Sequence, residues 1–102
     1  MGAACWKNLG IILGNARNFP AAEIAWREST TLAPNDPQAW LQLGQTLVNL
    51  VQYQPQGTRV VAVFPADTAD ALQKCIAADP NGPFAESAKQ LLAELGSNKS
   101  SN

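Results

Sequence analysis

Trp6-Lys7-Asn8-Leu9-Gly10 returns later in the chain as Trp40-Leu41-Gln42-Leu43-Gly44. Trp, Leu and Gly recur at a spacing of 34 residues, and a further Leu follows each Gly by three residues, at Leu13 and Leu47. A fixed period of this length marks an array of supersecondary units, each burying its apolar face against the next. Around these pentapeptides, residues 3–16 and 37–52 carry apolar side chains at three- and four-residue spacings and predict helices. Pro20 suits a first helical turn, where its missing N–H costs nothing. Asn35-Asp36-Pro37 offers the next helix a capping Asp and then Pro at its first position. The small residues Gly10, Ala22, Gly44 and Cys75 fall where two helices must approach closely. The large residues Trp6, Trp26, Trp40 and Leu72 fill the space beside them, and close packing needs that alternation. The tryptophans therefore read as core rather than as stacking platforms for a ligand.

The spacing then changes. Trp6 to Pro34 is 28 residues, whereas Trp40 to Pro80 is 40, so twelve residues are inserted between the two helices of the second unit. Counting back from Asp79-Pro80 at the first unit's own spacings sets Cys75 opposite Ser29, Leu72 opposite Trp26, and Thr68 or Ala69 opposite Ala22. Within the insertion, residues 52–66, the segment 59–64 is β-branched and aromatic and is bounded by Gly57 and Pro65, which predicts a strand. Residues 52–54 are its partner, turning through Pro55-Gln56-Gly57. A two-stranded ribbon is marginal in water by itself. It either folds back over the helices or offers its Val-rich edge to another molecule. Asp67 is positioned to cap the helix that follows. Residues 83–95 put Phe84, Ala88, Leu91, Leu92 and Leu95 on one face and Glu86, Lys89, Gln90 and Glu94 on or beside the other. An end helix with a polar outer face is what a repeat array requires. The tail from Gly96 to Asn102 is polar and reads as frayed, and its Asn98-Lys99-Ser100 sequon reads as a chance triplet.

Composition narrows the chemistry. The chain has 102 residues, 46% of them hydrophobic and 15% charged, and seven Lys/Arg against eight Asp/Glu give a net charge of −1. It contains no His, which removes the commonest general base and metal ligand. Cys5 and Cys75 have no zinc-type spacing. They read as two buried thiols, with a disulfide as the other reading. Glu23, Glu28, Asp67, Asp70, Asp79, Glu86 and Glu94 are scattered, and Gly10 and Gly14 lie inside a helix rather than in a phosphate-binding loop. The expectation is a protein that is not an enzyme and uses no cofactor and no metal. The absence of a basic stripe argues against nucleic acid. No apolar run reaches the ~18–20 residues of a membrane span, and the N-terminus lacks the pattern of a signal peptide. The default compartment is cytoplasmic, or extracytoplasmic if the sequence is a piece of a longer chain.

The first unit, with Trp6, Leu9, Gly10, Leu13, Ala22, Trp26, Ser29 and Pro34, resembles the tetratricopeptide repeat (TPR) family, and the second opens equally well with Trp40, Leu43, Gly44 and Leu47 before the insertion breaks the pattern. The likeness covers residues 3–95. It implies an all-α fold in one domain, 1–96, built of units 3–36 and 37–82 and a cap helix 83–95, followed by a flexible tail at 97–102. About five helices would stack as antiparallel pairs in a short right-handed superhelix, with a β-hairpin-like insertion near 52–66. The Gly-Thr, Ala-Leu, Pro-Asn-Gly-Pro and Ala-Lys pieces of the second half are similar to the last units of TPR proteins from environmental, acidobacterial-type bacteria. The resemblance implies binding rather than catalysis.

In TPR proteins the first helix of each unit lines a concave groove that grips a peptide or partner protein. The corresponding outward positions here are Lys7, Asn8, Ile11 and Asn15, then Gln38, Leu41, Gln42, Gln45 and Asn49. Their side-chain amides suit a peptide backbone, because an amide both donates and accepts. The TPR subclass that clamps chaperone carboxylates is a poor match. Lys7 fits, but Ile11 and Gln42 replace Asn, and Phe84, Ser87 and Ala88 supply no positive charge. The first helix is apolar around much of its circumference, through Ala4, Cys5, Leu9, Ile12, Leu13 and Ala16, whereas a surface helix is polar on one side. Two units plus a cap also fall below the usual ~3 repeats. Upstream repeats, another protein or another copy of the chain would cover that face. The alternative function is therefore a self-assembling subunit, oligomer or filament, packing through Leu9, Ile12 and Leu13 and through Arg59, Val61 and Val63 of the ribbon.

Overall fold

A computed structural model describes residues 2–100, with side chains through residue 96. The elements run α1 (Ala3–Asn15), α2 (Phe19–Leu32), α3 (Pro37–Asn49), β1 (Gln52–Gln56), β2 (Arg59–Val63), α4 (Thr68–Ala78) and α5 (Pro83–Ser100). The described chain is mostly helical, with one small antiparallel sheet. Each helix packs on the next, and α5 also reaches back to α3.

Local chemistry explains the boundaries. Asp36 caps α3, its carboxylate accepting from the Gln38 and Ala39 amides at 3.1 and 3.4 Å. Pro20 and Pro37 stand in the first turns of α2 and α3. At the end of α1, Arg17 takes a φ of 60°. Its N–H bonds the Gly14 carbonyl and that of Asn18 bonds Leu13, the Schellman pattern, with Arg where Gly is usual. Helix α3 stops at Asn49 rather than continuing to 52, because Gln52 is taken by strand pairing opposite Val63. Helix α5 runs on to Ser100, past the end of its apolar face at Leu95. Of the tail expected at 97–102, residues 101 and 102 and the sequon's side chains lie outside the described set.

Two apolar clusters form the core. Ala22, Trp26, Ala39, Leu43, Leu47 and Ala71 make the first, and Leu41, Leu72, Cys75 and Ala88 the second. Trp40 packs on both. Its indole N–H donates to the Pro34 carbonyl at 2.7 Å, and the Lys74 ammonium lies 4.9 Å from its ring centroid. Trp26 is fully buried, while Trp6 stays half-buried at the edge.

Within each unit, the contacts between its two helices fall at matching positions once the insertion is removed. A β-carbon on Gly10 would meet Trp26 Cε2 at 2.5 Å, and one on Gly44 would overlap Leu72 Cδ2. Ala22, Ala25, Trp26 and Ser29 of α2 are buried, as are Thr68, Ala71, Leu72 and Cys75 at the same relative positions in α4. Thr68 rather than Ala69 is the buried counterpart of Ala22, and its hydroxyl donates to the Pro65 carbonyl at 2.8 Å, so its burial leaves no unmet donor.

The insertion forms a hairpin tighter than the sequence pattern suggested. Gln52 pairs with Val63, Gln54 with Val61 and Gln56 with Arg59. The turn is therefore the two residues Gly57-Thr58, with Gly57 at a φ of 65°. Glycine at the first of two central positions matches the natural twist of a hairpin. The hairpin does not fold back over the helices: no strand residue is buried, and it has no substantial packing with any helix.

Candidate interaction surfaces

The groove predicted along α1 and α3 is partly consumed inside the molecule. Leu41 is 4% exposed and belongs to the second core cluster, beneath α5. It is not a groove residue, because the cap helix packs over that part of α3. Lys7 is not a free cation either. Its ammonium bonds the Asp36 carboxylate at 2.8 Å and Gln38 Oε1 at 3.0 Å, fastening α1 to the start of α3. Asn8, Ile11 and Asn15 are exposed along α1, and Gln42 and Gln45 are half-buried on α3. Asn49 is exposed, with its amide donating to the Gln45 carbonyl at 2.9 Å. An amide-rich row survives, shorter and with no unpaired charge contributed by Lys7.

The expected assembly residues also divide. Ile12 is 63% exposed, Leu9 is half-buried, and Leu13 packs against the first core cluster and so is not a docking residue. Cys5 is exposed rather than buried; Cys75 is buried, and the two do not form a disulfide. Burial pushes the Cys75 thiol above its ordinary range, with the nearby Asp79 charge adding to the effect. On the hairpin, Arg59 and Val63 are exposed and Val61 is half-buried. Sequence reasoning passed over the more exposed pair, Tyr53 at 68% and Val60 at 70%. The alternation of β2 read against a full five-residue β1 would have found them, since directly opposed residues share a face. Tyr53, Pro55, Val60 and Ala62 line one side, and Gln52, Gln54, Gln56, Arg59, Val61 and Val63 the other. Ile24 and Leu32 of α2 are exposed as well.

An ion-paired knot ties α2 to the start of α4, just after the hairpin. The Arg27 guanidinium holds Asp67 at 2.6 and 3.2 Å and Glu23 at 2.7 Å. Asp67 stands at the N-terminus of α4 without a side-chain cap bond, its carboxylate being committed to Arg27. That hydrogen bond is the main reason the Asp67 carboxyl sits below its ordinary range, and the same contact raises Arg27.

Among the described residues, no three His, Cys, Asp or Glu side chains stand together as a metal site, and no helix is long and apolar enough to cross a membrane. No protein-family model matches the chain, and no curated protein matches it.

Proposed function

We propose that this chain is a non-catalytic protein-interaction module of the tetratricopeptide type, and that its partner lies against the outer side of α1 and α2. One observation carries the reading. Residues 34 apart in the two units occupy the same helical positions, yet their burial differs. Ala39 and Thr46 are buried and Leu50 packs on the core, because α2 covers that stripe of α3. Their counterparts Cys5, Ile12 and Ala16 are exposed. A stripe with interior chemistry in an exterior position fits a helical partner that presents small and aromatic side chains, as α2 does to α3.

The test is site-specific crosslinking. A photoreactive residue at position 12 should capture a partner polypeptide that one at Gln90, on the exposed side of α5, does not. Ile12→Glu should then weaken the purified partner by about tenfold or more, with helicity unchanged. Equal capture at both positions, or unchanged affinity, would overturn the reading. The second reading is a self-assembling subunit, and the exposure of Tyr53 and Val60 on a hairpin that no helix covers supports it.

A further inference from the structure

The hairpin has two edges, and the register makes them unequal. In an antiparallel pair, residues that bond each other alternate with residues whose N–H and C=O point outward. The Gly57-Thr58 turn makes Gln56 and Arg59 the first bonded pair, so Gln54 with Val61 and Gln52 with Val63 are bonded too. The outward groups are therefore those of Tyr53 and Pro55 on β1 and of Val60 and Ala62 on β2. Pro55 has no N–H, which spoils the β1 edge for further pairing. The β2 edge is intact, and Val60 lies open to solvent.

We propose that two copies of the chain pair antiparallel through β2, about a two-fold axis passing beside Val61. In that register Val60 bonds Ala62 of the second copy and Ala62 bonds its Val60, so every outward group of the β2 edge finds a partner. Val61 meets its own counterpart at a non-bonded position, where β-branched side chains stabilise each other. Arg59, the only charged side chain in the hairpin, falls opposite Val63, so the two like charges sit at opposite ends. A second copy also closes the assembly. Both outer edges of the four-stranded sheet are then β1 edges carrying Pro55, and an isologous contact of this kind does not propagate. The marginal two-stranded ribbon becomes a four-stranded sheet with Tyr53, Pro55, Val60 and Ala62 of each copy on one continuous apolar face. A five-residue edge buries less than a standard interface, so the dimer should be weak and concentration-dependent. A net charge of −1 opposes it little.

The experiment follows mass and amide exchange together as the chain is concentrated. The mass should rise roughly twofold by about 1 mM. The Val60 and Ala62 amides should slow in step with it, while Tyr53 stays fast. Val60→Pro removes an outward N–H and none of the hairpin's own bonds, so it should abolish the mass increase. Tyr53→Pro makes the same change on the unused edge and should leave the increase intact. A chain that stays monomeric at ~1 mM, a dimer that survives Val60→Pro, or protection at Tyr53 instead would overturn the proposal. So would a dimer that only Ile12→Glu dissolves, which would assign the contact to the helical face. Protection of Val60 and Ala62 by an added foreign strand, with no mass increase of the chain alone, would assign the edge to another partner.

Discussion

Gly44 lies so close to Leu72 that a β-carbon on the glycine would overlap the leucine's Cδ2, and Gly10 stands in the same relation to Trp26. The two contacts lock α1 to α2 and α3 to α4 with one device: a missing side chain on the first helix and a large one on the second. Twelve inserted residues separate the second pair's partners in sequence without disturbing the contact.

Gly44→Ala should therefore destabilise the fold despite the better helix propensity of Ala. The propensity gain is about 1 kcal/mol, against an overpacking cost of about 1–3 kcal/mol. A net loss of about 1 kcal/mol would lower the melting midpoint by roughly 4–8 °C in a domain of this size. Leu72→Ala should cost about 2–5 kcal/mol alone. The double variant should be better than the sum of the two, because each change relieves the other. Urea unfolding followed by Trp fluorescence measures all three, and strict additivity would contradict the contact.

Arg17→Gly should stabilise the chain. Arg17 holds a left-handed backbone, which costs a non-glycine residue about 1 kcal/mol or more. Glycine removes that strain but gains freedom in the unfolded chain, leaving a net benefit of about 0.5–1 kcal/mol. Arg17→Val should do the reverse, since a β-branched residue tolerates positive φ poorly. Equilibrium denaturation of the two variants gives the sign directly.

The Arg27–Asp67 pair predicts a pH signature. Asp67 titrates below its ordinary range in the folded chain, chiefly through the Arg27 hydrogen bond. Its contribution is thus complete above the unfolded pKa of about 3.9 and is lost as pH falls through the lower folded value. Both side chains are 41% exposed, and solvent screening limits the effect to about 1 kcal/mol or less. Asp67→Asn should lower the melting midpoint at pH 7, and the gap to the parent chain should close in acid and narrow with added salt. A gap that is constant from pH 7 to pH 2 would contradict the pairing.

The two thiols should separate cleanly. Cys5 is exposed and Cys75 buried, and burial holds the Cys75 thiol in its protonated form to higher pH. An aromatic disulfide reagent at pH 8 should titrate Cys5 quickly and reach Cys75 only with denaturant, since the thiolate is the reacting species. Cys5→Ser should remove the fast phase and leave the slow one.

The helices, the small and large partners at their contacts, and the position of the hairpin are legible in the order of the amino acids. Each of these rests on a short-range pattern: a 34-residue period, a capping Asp36 followed by Pro37, a β-branched run beside Gly57. Such patterns report which face of an element is apolar, and an apolar face must be buried somewhere. What buries it depends on how distant elements meet in space. Leu41 holds an outward position in the helical pattern, but α5 covers it. Lys7 holds another, but Asp36, 29 residues away, binds its ammonium. Asp67 stands at a capping position, but Arg27, 40 residues away, claims its carboxylate. Cys5 has interior chemistry and an exterior position, because no helix in the described chain covers α1 as α2 covers α3. Those outcomes depend on which distant elements meet, and no local periodicity carries that information.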